Sequence, residues 1–444
     1  MLLDLKNCSG QLAWQENVID IDFDLSCSNN GSISIKLKPI RLQKDILWFY
    51  ELSHKRGRYF EVLRLRGCDI NKHLIASDSV IFTYIGNKSD SSGDWICVEG
   101  KCIKLRLDSS DQFTNSEHAE IALQYDLLGF QCFDRLFGKT NFGSIQLAGS
   151  RKIDNYDEVT GVLTIKKLAR ENFDLTEWTE CCDKLVRSIL DILSLANGRY
   201  LAWTRRMVFC NEVLLSSLLI GPRSSGNPLQ PLFSHLNLQP ILSFALSNYT
   251  DDLKHKTGLD VALEWFLTDA TYAEVQFLAA MTALEHLVDV YAKQKGRDEI
   301  FKEKAFKKII RPQISAVLNE SLQNMLSEKD SNADEISSRI TSAKDKISEV
   351  NRYSFKENLQ AMLRYYEAPL DGIEQEIEGL VGVRNKIVHR GLYISALENQ
   401  SINDYLAVLR ELLKRVFLTL LKYRGQYQSF LNGPDWIDFP PSQR

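Results

Sequence analysis

Between Gly221 and Pro240 the chain places Pro222, Pro228, Pro231 and Pro240, four of its ten prolines. Proline lacks a backbone donor and fixes its own φ, so this stretch can be neither a regular helix nor a central strand. It marks a domain junction, and the patterns on its two sides differ. In front, Ile33, Ile35 and Leu37 alternate with Ser34, Lys36 and Lys38, the period of a strand with one buried face. Similar runs at 46–52, 59–65, 79–85, 95–98 and 102–107 are separated by turn-forming clusters such as Asn87 to Asp94. Residues 117–137 fit helix and strand equally, and 176–196 predict a helix stopped by Asn197-Gly198. Many short strands predict an antiparallel sandwich or open barrel. Behind the junction the period becomes helical, as in Phe277, Met281, Leu284, Val288 and Tyr291. The expected fold class is α+β: a β-rich region over 1–240, divisible near 170, an all-α bundle over 241–430, and an irregular tail over 431–444.

With 444 residues the chain can bury two or three cores. A net charge of -4 excludes general attraction to nucleic acid, so contact with RNA or DNA requires a local basic face. All nine cysteines precede residue 211 and none forms a CxxC pair, which predicts reduced, packed thiols in a cytoplasmic protein. Cys97 and Cys102 flank Glu99-Gly100 and are expected across a hairpin from each other. The first residues, MLLDLKNCSG, lack the basic and apolar regions of a signal peptide. No run approaches the roughly 20 apolar residues that span a bilayer. A soluble, cytoplasmic chain without a membrane partner is expected. With no HExxH and no acidic or cysteine cluster at ligand spacing, neither a metal nor another cofactor is expected.

Chemistry concentrates at Val381-Gly-Val-Arg-Asn-Lys-Ile-Val-His-Arg-Gly391. Projected as a helix, residues 371–390 give an apolar stripe of Ile373, Ile377, Leu380, Val381, Ile387 and Val388, with Arg384 in its middle. A guanidinium cannot lie unpaired in an apolar contact. It must pair with an acid such as Glu285 or Glu274, line a cleft, or face a second subunit. Asn385 and His389 are one turn apart and share the adjacent flank. A fixed cation, an amide and a group titrating near neutrality suffice for metal-free RNA cleavage: His389 moves protons, Arg384 neutralises the phosphate, and Asn385 orients either partner. The spacing alone is weak, because Arg66 and His73 repeat it in a strand-to-turn context.

Arg384-Asn-Lys-Ile-Val-His389-Arg-Gly391, preceded by Phe277-Leu-Ala-Ala-Met-Thr-Ala-Leu-Glu285-His-Leu287, resembles the HEPN superfamily (higher eukaryotes and prokaryotes nucleotide-binding), most closely its ApeA-like domains. The resemblance covers roughly residues 255–425, and the region 315–364 departs from it as a long insertion. It implies a helical homodimer and a metal-independent endoribonuclease with Arg384, Asn385 and His389 at a composite site; Glu285, from the reading of the residues themselves, is the supporting ion-pair partner expected for Arg384. It also implies a role in bacterial anti-phage defence or abortive infection, with the β-rich region sensing a trigger that could be a phage protein, a nucleic acid or a nucleotide signal. A bundle that only binds RNA or dimerises is the alternative.

Lys304, Lys307, Lys308 and Arg311 recur at i, i+3, i+4 and i+7, a basic face suited to an RNA backbone or simply to solvent, with Phe306, Ile309 and Ile310 turned to the core. Tyr365, Tyr366 and Tyr393 could stack on bases or pack. His286 is expected to be exposed.

Overall fold

Alternation in sequence becomes alternation in burial. Along β1 (Leu3–Trp14), β2 (Asn17–Cys27) and β3 (Ile33–Leu37), residues such as Phe23, Leu25, Ile33, Ile35 and Leu37 point inward while Asp22 and Lys36 face out. Then come α1 (Gln43–His54), β4 (Leu63–Cys68), β5 (Leu74–Asp90), β6 (Gly93–Cys102), β7 (Lys104–Asp108), β8 (Glu120–Leu128), β9 (Leu136–Thr140) and β10 (Gly143–Ala148). β11 (Val159–Leu168), α2 (Leu175–Asn197), β12 (Trp203–Cys210), β13 (Val213–Ile220) and α3 (Gln239–Asn248) complete the front unit. This is a computed structural model, and it describes residues 3–41, 43–54, 62–91, 93–109, 118–152, 155–170, 173–221, 231–234, 238–327, 338–339, 341–343, 346–390 and 401–441. Two units emerge, Met1–Ser247 and Asn248–Arg444.

The thirteen strands of the first unit form one antiparallel sheet in the order β4-β1-β2-β3-β6-β5-β7-β13-β12-β8-β11-β10-β9, with β4 also paired to β5. That extra pairing closes β4, β1, β2, β3, β6 and β5 into a barrel instead of a sandwich or an open barrel. At the β1–β4 seam Gly10 faces Gly67, and a Cβ on Gly10 would lie 2.3 Å from the Arg66 carbonyl, so only glycine permits this approach. The long β5 makes closure possible: its first part pairs with β4 and β7, and its later part with β6.

Residues 46–52 belong to α1 and not to a strand. The run Ile46-Leu-Trp-Phe-Tyr is contiguous, so period cannot decide, and the barrel interior does: Trp48 and Phe49 plug it, meeting Trp14 and Phe82 edge to face. Of the ambiguous stretch, residues 118–137 resolve into β8 and the start of β9, and residue 117 lies outside the described residues. Cys97 and Cys102 lie on the same strand, β6, so no hairpin separates them. All nine cysteines are free, and burial pushes the Cys8 and Cys27 thiols up to about 11. The unit boundary falls after α3, later than the expected break at 240. The reason is local: Gln239 hydrogen-bonds both backbone groups of Phe137 on β9, and Leu246 packs over Gly138.

The second unit contains α4 (Asp251–Thr257), α5 (Leu259–Phe266), α6 (Ala273–Gln294), α7 (Glu303–Ala305), α8 (Arg311–Ser327), α9 (Phe355–Tyr366), α10 (Glu374–Arg390) and α11 (Ile402–Leu420). Helix α6 is central, with Phe277, Met281, Leu284, Val288 and Tyr291 buried. The α+β class holds, with the helical region behind the junction as expected, but the tail beyond it is not irregular: β14 (Gly425–Ser429) and β15 (Asp435–Phe439) form a hairpin. Its turn holds Asn432-Gly433, a hairpin signal that outweighs the neighbouring prolines. No helix among the described residues is long and apolar enough to cross a membrane.

The hairpin covers Glu411, Lys414 and Arg415 of α11, while Arg410 is buried over the Phe266 ring of α5. Glu411 accepts from Arg415 Nε (3.0 Å) and from the Tyr427 hydroxyl (2.5 Å), while Lys414 Nζ donates to the Gln428 carbonyl (3.3 Å) and sits over the Phe430 ring. Burial pushes the Lys414 ammonium down to about 8, against the opposing pull of Glu411. Between that value and the ordinary 10.5 the unfolded chain holds a proton that the folded chain has released. Stability is therefore expected to rise with pH across that window, by roughly 3 kcal/mol in total. Denaturation curves from pH 7 to 10.5 check this against Lys414→Met, which should remove the rise. Parallel curves for both proteins would refute it.

Candidate active site

Glu285 reaches the site from α6, and Arg384, Asn385 and His389 from α10. The buried face of α10 is Ile373, Ile377, Leu380, Val383 and Ile387. Val383 takes the place expected of Val381, which is half-buried, and Val388 is 52% exposed. The rotation has a local cause: Gly379 lets the helix approach the Tyr405 ring of α11, where a Cβ would be 2.9 Å from the ring edge. Arg384 consequently lies beside the buried stripe and not in its middle.

From that edge Arg384 Nε meets Glu285 Oε1 at 3.1 Å, and Arg384 Nη1 donates to Asn385 Oδ1 at 3.2 Å. Both ends of the ion pair are about one-third exposed, at 37% and 36%, so the guanidinium is fixed yet open to solvent. Asn385 is exposed, and Gly382 has nothing within 4 Å of a Cβ position. His389 is a helical position one turn after Asn385, which puts it on the same open flank; its side chain lies outside the described residues, as do Gly391 and Tyr393. The arrangement can bind an anion at a held cation, with an amide alongside and a histidine one turn on. Glu274 makes no described contact with Arg384. No family model, curated protein or solved structure matches the chain.

The other sequence candidates fare differently. The Lys304 to Arg311 segment is not a single basic face. Phe306–Ile310 form a π turn, whose wider winding carries Arg311 about 100° away from the stripe drawn at α-helical pitch. Lys304, Lys307 and Lys308 are exposed, Lys307 pairs with Glu303, and Arg311 is half-buried. Of the three apolar residues expected in the core only Phe306 is buried, while Ile309 is exposed. His286 is half-buried against Gly258, where a Cβ would collide with its ring. Tyr365 and Tyr366 pack with Tyr291 at the end of α6. Arg66 and His73 have separate carboxylate partners, Asp78 and Asp69. The buried ions of α11 escaped the sequence reading because α11 looks amphipathic alone. The Asn432-Gly433 hairpin signal was the available clue. Among the described residues no group of three or more His, Cys, Asp or Glu is placed to hold a metal ion.

Proposed function

We propose that the chain is a metal-independent endoribonuclease acting at the open flank of α10. The observation that carries the reading is the Glu285–Arg384 pair at 3.1 Å, which holds a partly exposed guanidinium beside Asn385 and one turn from His389. In the reaction the ribose 2′-oxygen attacks the adjacent phosphorus, the P–O2′ bond forms and the P–O5′ bond breaks. Arg384 neutralises the charge that builds on the non-bridging oxygens. One group must take the 2′-OH proton and another must return a proton to O5′. Helix α10 carries a single histidine, so two copies of the chain supply the pair. The half-buried Val381 and exposed Val388 beside Arg384 give such a copy an apolar margin to cover. With the resemblance to HEPN domains, the reading extends to an RNA-cleaving effector of phage defence, triggered through the β-rich unit.

Incubating the protein with RNA in EDTA is expected to yield 2′,3′-cyclic phosphate and 5′-hydroxyl ends. No cleavage, or 5′-phosphate ends, would overturn the proposal. A second reading has its own support: the same ion pair ties α10 to α6, so it also serves a bundle that only binds RNA or dimerises.

A further inference from the structure

The first unit contains a cleft of about 240 Å³ that the nuclease reading does not use. Its floor follows from strand alternation. Register pairs Leu107 with Ser217 and Ser217 with Met207, and two residues along it pairs Leu105 with Leu219 and Leu219 with Arg205, so the rows share one face of β7, β13 and β12. Leu3 and Leu5 of β1 and the turn from Asp69 to His73 form the walls. Leu3, Leu5 and Leu107 also pack on the barrel core, so the cleft is where that core opens at the fork between barrel and sheet extension.

The turn is rigid. Asp69 Oδ1 accepts from the backbone N–H groups of Asn71 (2.9 Å) and His73 (2.8 Å), and Oδ2 meets His73 Nδ1 at 2.8 Å. The imidazole is thereby held through one nitrogen, and Nε2 has no partner among the described residues. Ionic groups around the cleft already have partners within the unit: Asp69 takes its hydrogen bonds from the turn, Arg205 pairs with Asp126 (2.7 Å), and Arg106 pairs with Asp108 (2.8 Å). A charged ligand would have to break one of these pairs or leave its own charge against an apolar floor, whereas a neutral one does neither. The volume is below the roughly 300–1,000 Å³ of drug-sized pockets.

We propose that this cleft binds an uncharged, mostly apolar small molecule of the size of indole or phenol, with its one hydrogen-bonding group at His73. Met207 lies in the floor and reports occupancy directly. In the full chain labelled with ¹³C-methyl methionine, titrated indole should shift the Met207 signal saturably and leave Met281 and Met362 unmoved. Benzoate should bind at least tenfold more weakly. Ser217→Trp, which fills the cleft from its floor, and His73→Phe, which removes the hydrogen bond, should each weaken indole at least tenfold. No Met207 shift at millimolar indole would overturn the proposal, as would a shift that survives both substitutions with the Met281 and Met362 signals intact. Equal or tighter benzoate binding would overturn the neutral ligand class. If Ser217→Trp does not fold, His73→Phe and the wild-type titration still decide. RNA cleavage is not read in this experiment, so its outcome is independent of the nuclease proposal.

Discussion

Replacing His389 by alanine is expected to lower RNA cleavage by about 10²–10⁴-fold, the usual contribution of a positioned acid or base. Arg384→Ala should cost about 10²–10³-fold, because a held donor aimed at developing phosphate charge is lost. Arg384→Lys should recover little, since an ammonium cannot hold the Glu285 oxygen and the Asn385 amide in one plane. Neither alanine variant should unfold the protein. The Glu285–Arg384 pair is partly exposed, and such pairs contribute about 0–1 kcal/mol. Cleavage of a labelled RNA beside a thermal melt separates the two effects. Wild-type cleavage in both variants would defeat the assignment of these residues. Mixing the two inactive proteins should restore part of the activity if two chains build one site.

The largest stability effect is expected at Glu411. Glu411→Ala leaves Arg415 and Lys414 buried without the carboxylate they face, and removing one partner of a buried pair costs about 3–5 kcal/mol. Arg415 retains the Asp371 carbonyl at 2.8 Å, which satisfies a donor without neutralising the charge. Glu411→Gln, which can still accept from Arg415 and Tyr427, should lose less. Replacing Glu411 and Arg415 together with Leu and Met should lose less than Glu411→Ala, because no lone ion remains at the pair. Urea denaturation of the full chain measures all three. A loss below about 1 kcal/mol for Glu411→Ala would contradict the burial argument.

The sequence showed the strands of the sheet wherever one face was polar, as at Ile33, Ile35 and Leu37. It could not show the barrel, because closure rests on β4 meeting β5 and on Gly10 meeting Gly67, contacts between distant segments. It could not orient α10 either. Val381, Val383 and Val388 are equally apolar, and the contact of Gly379 with Tyr405 chooses among them. That contact sets Arg384 at the edge of the apolar stripe, where it is a held, accessible cation and not one buried among apolar side chains. The basic stripe at Lys304 to Arg311 is broken for a similar reason, since a π turn interrupts the constant pitch that the spacing implies.

The Gln239 side chain occupies the rim of the sheet as a one-residue surrogate strand. Its amide accepts from Phe137 N–H at 2.8 Å and donates to the Phe137 carbonyl at 2.8 Å, on a terminal strand only five residues long. An incoming β-segment would find that pair of groups already taken and little rim left to dock on. Gln239→Ala would reopen it, and the unit would become prone to joining copies rim to rim.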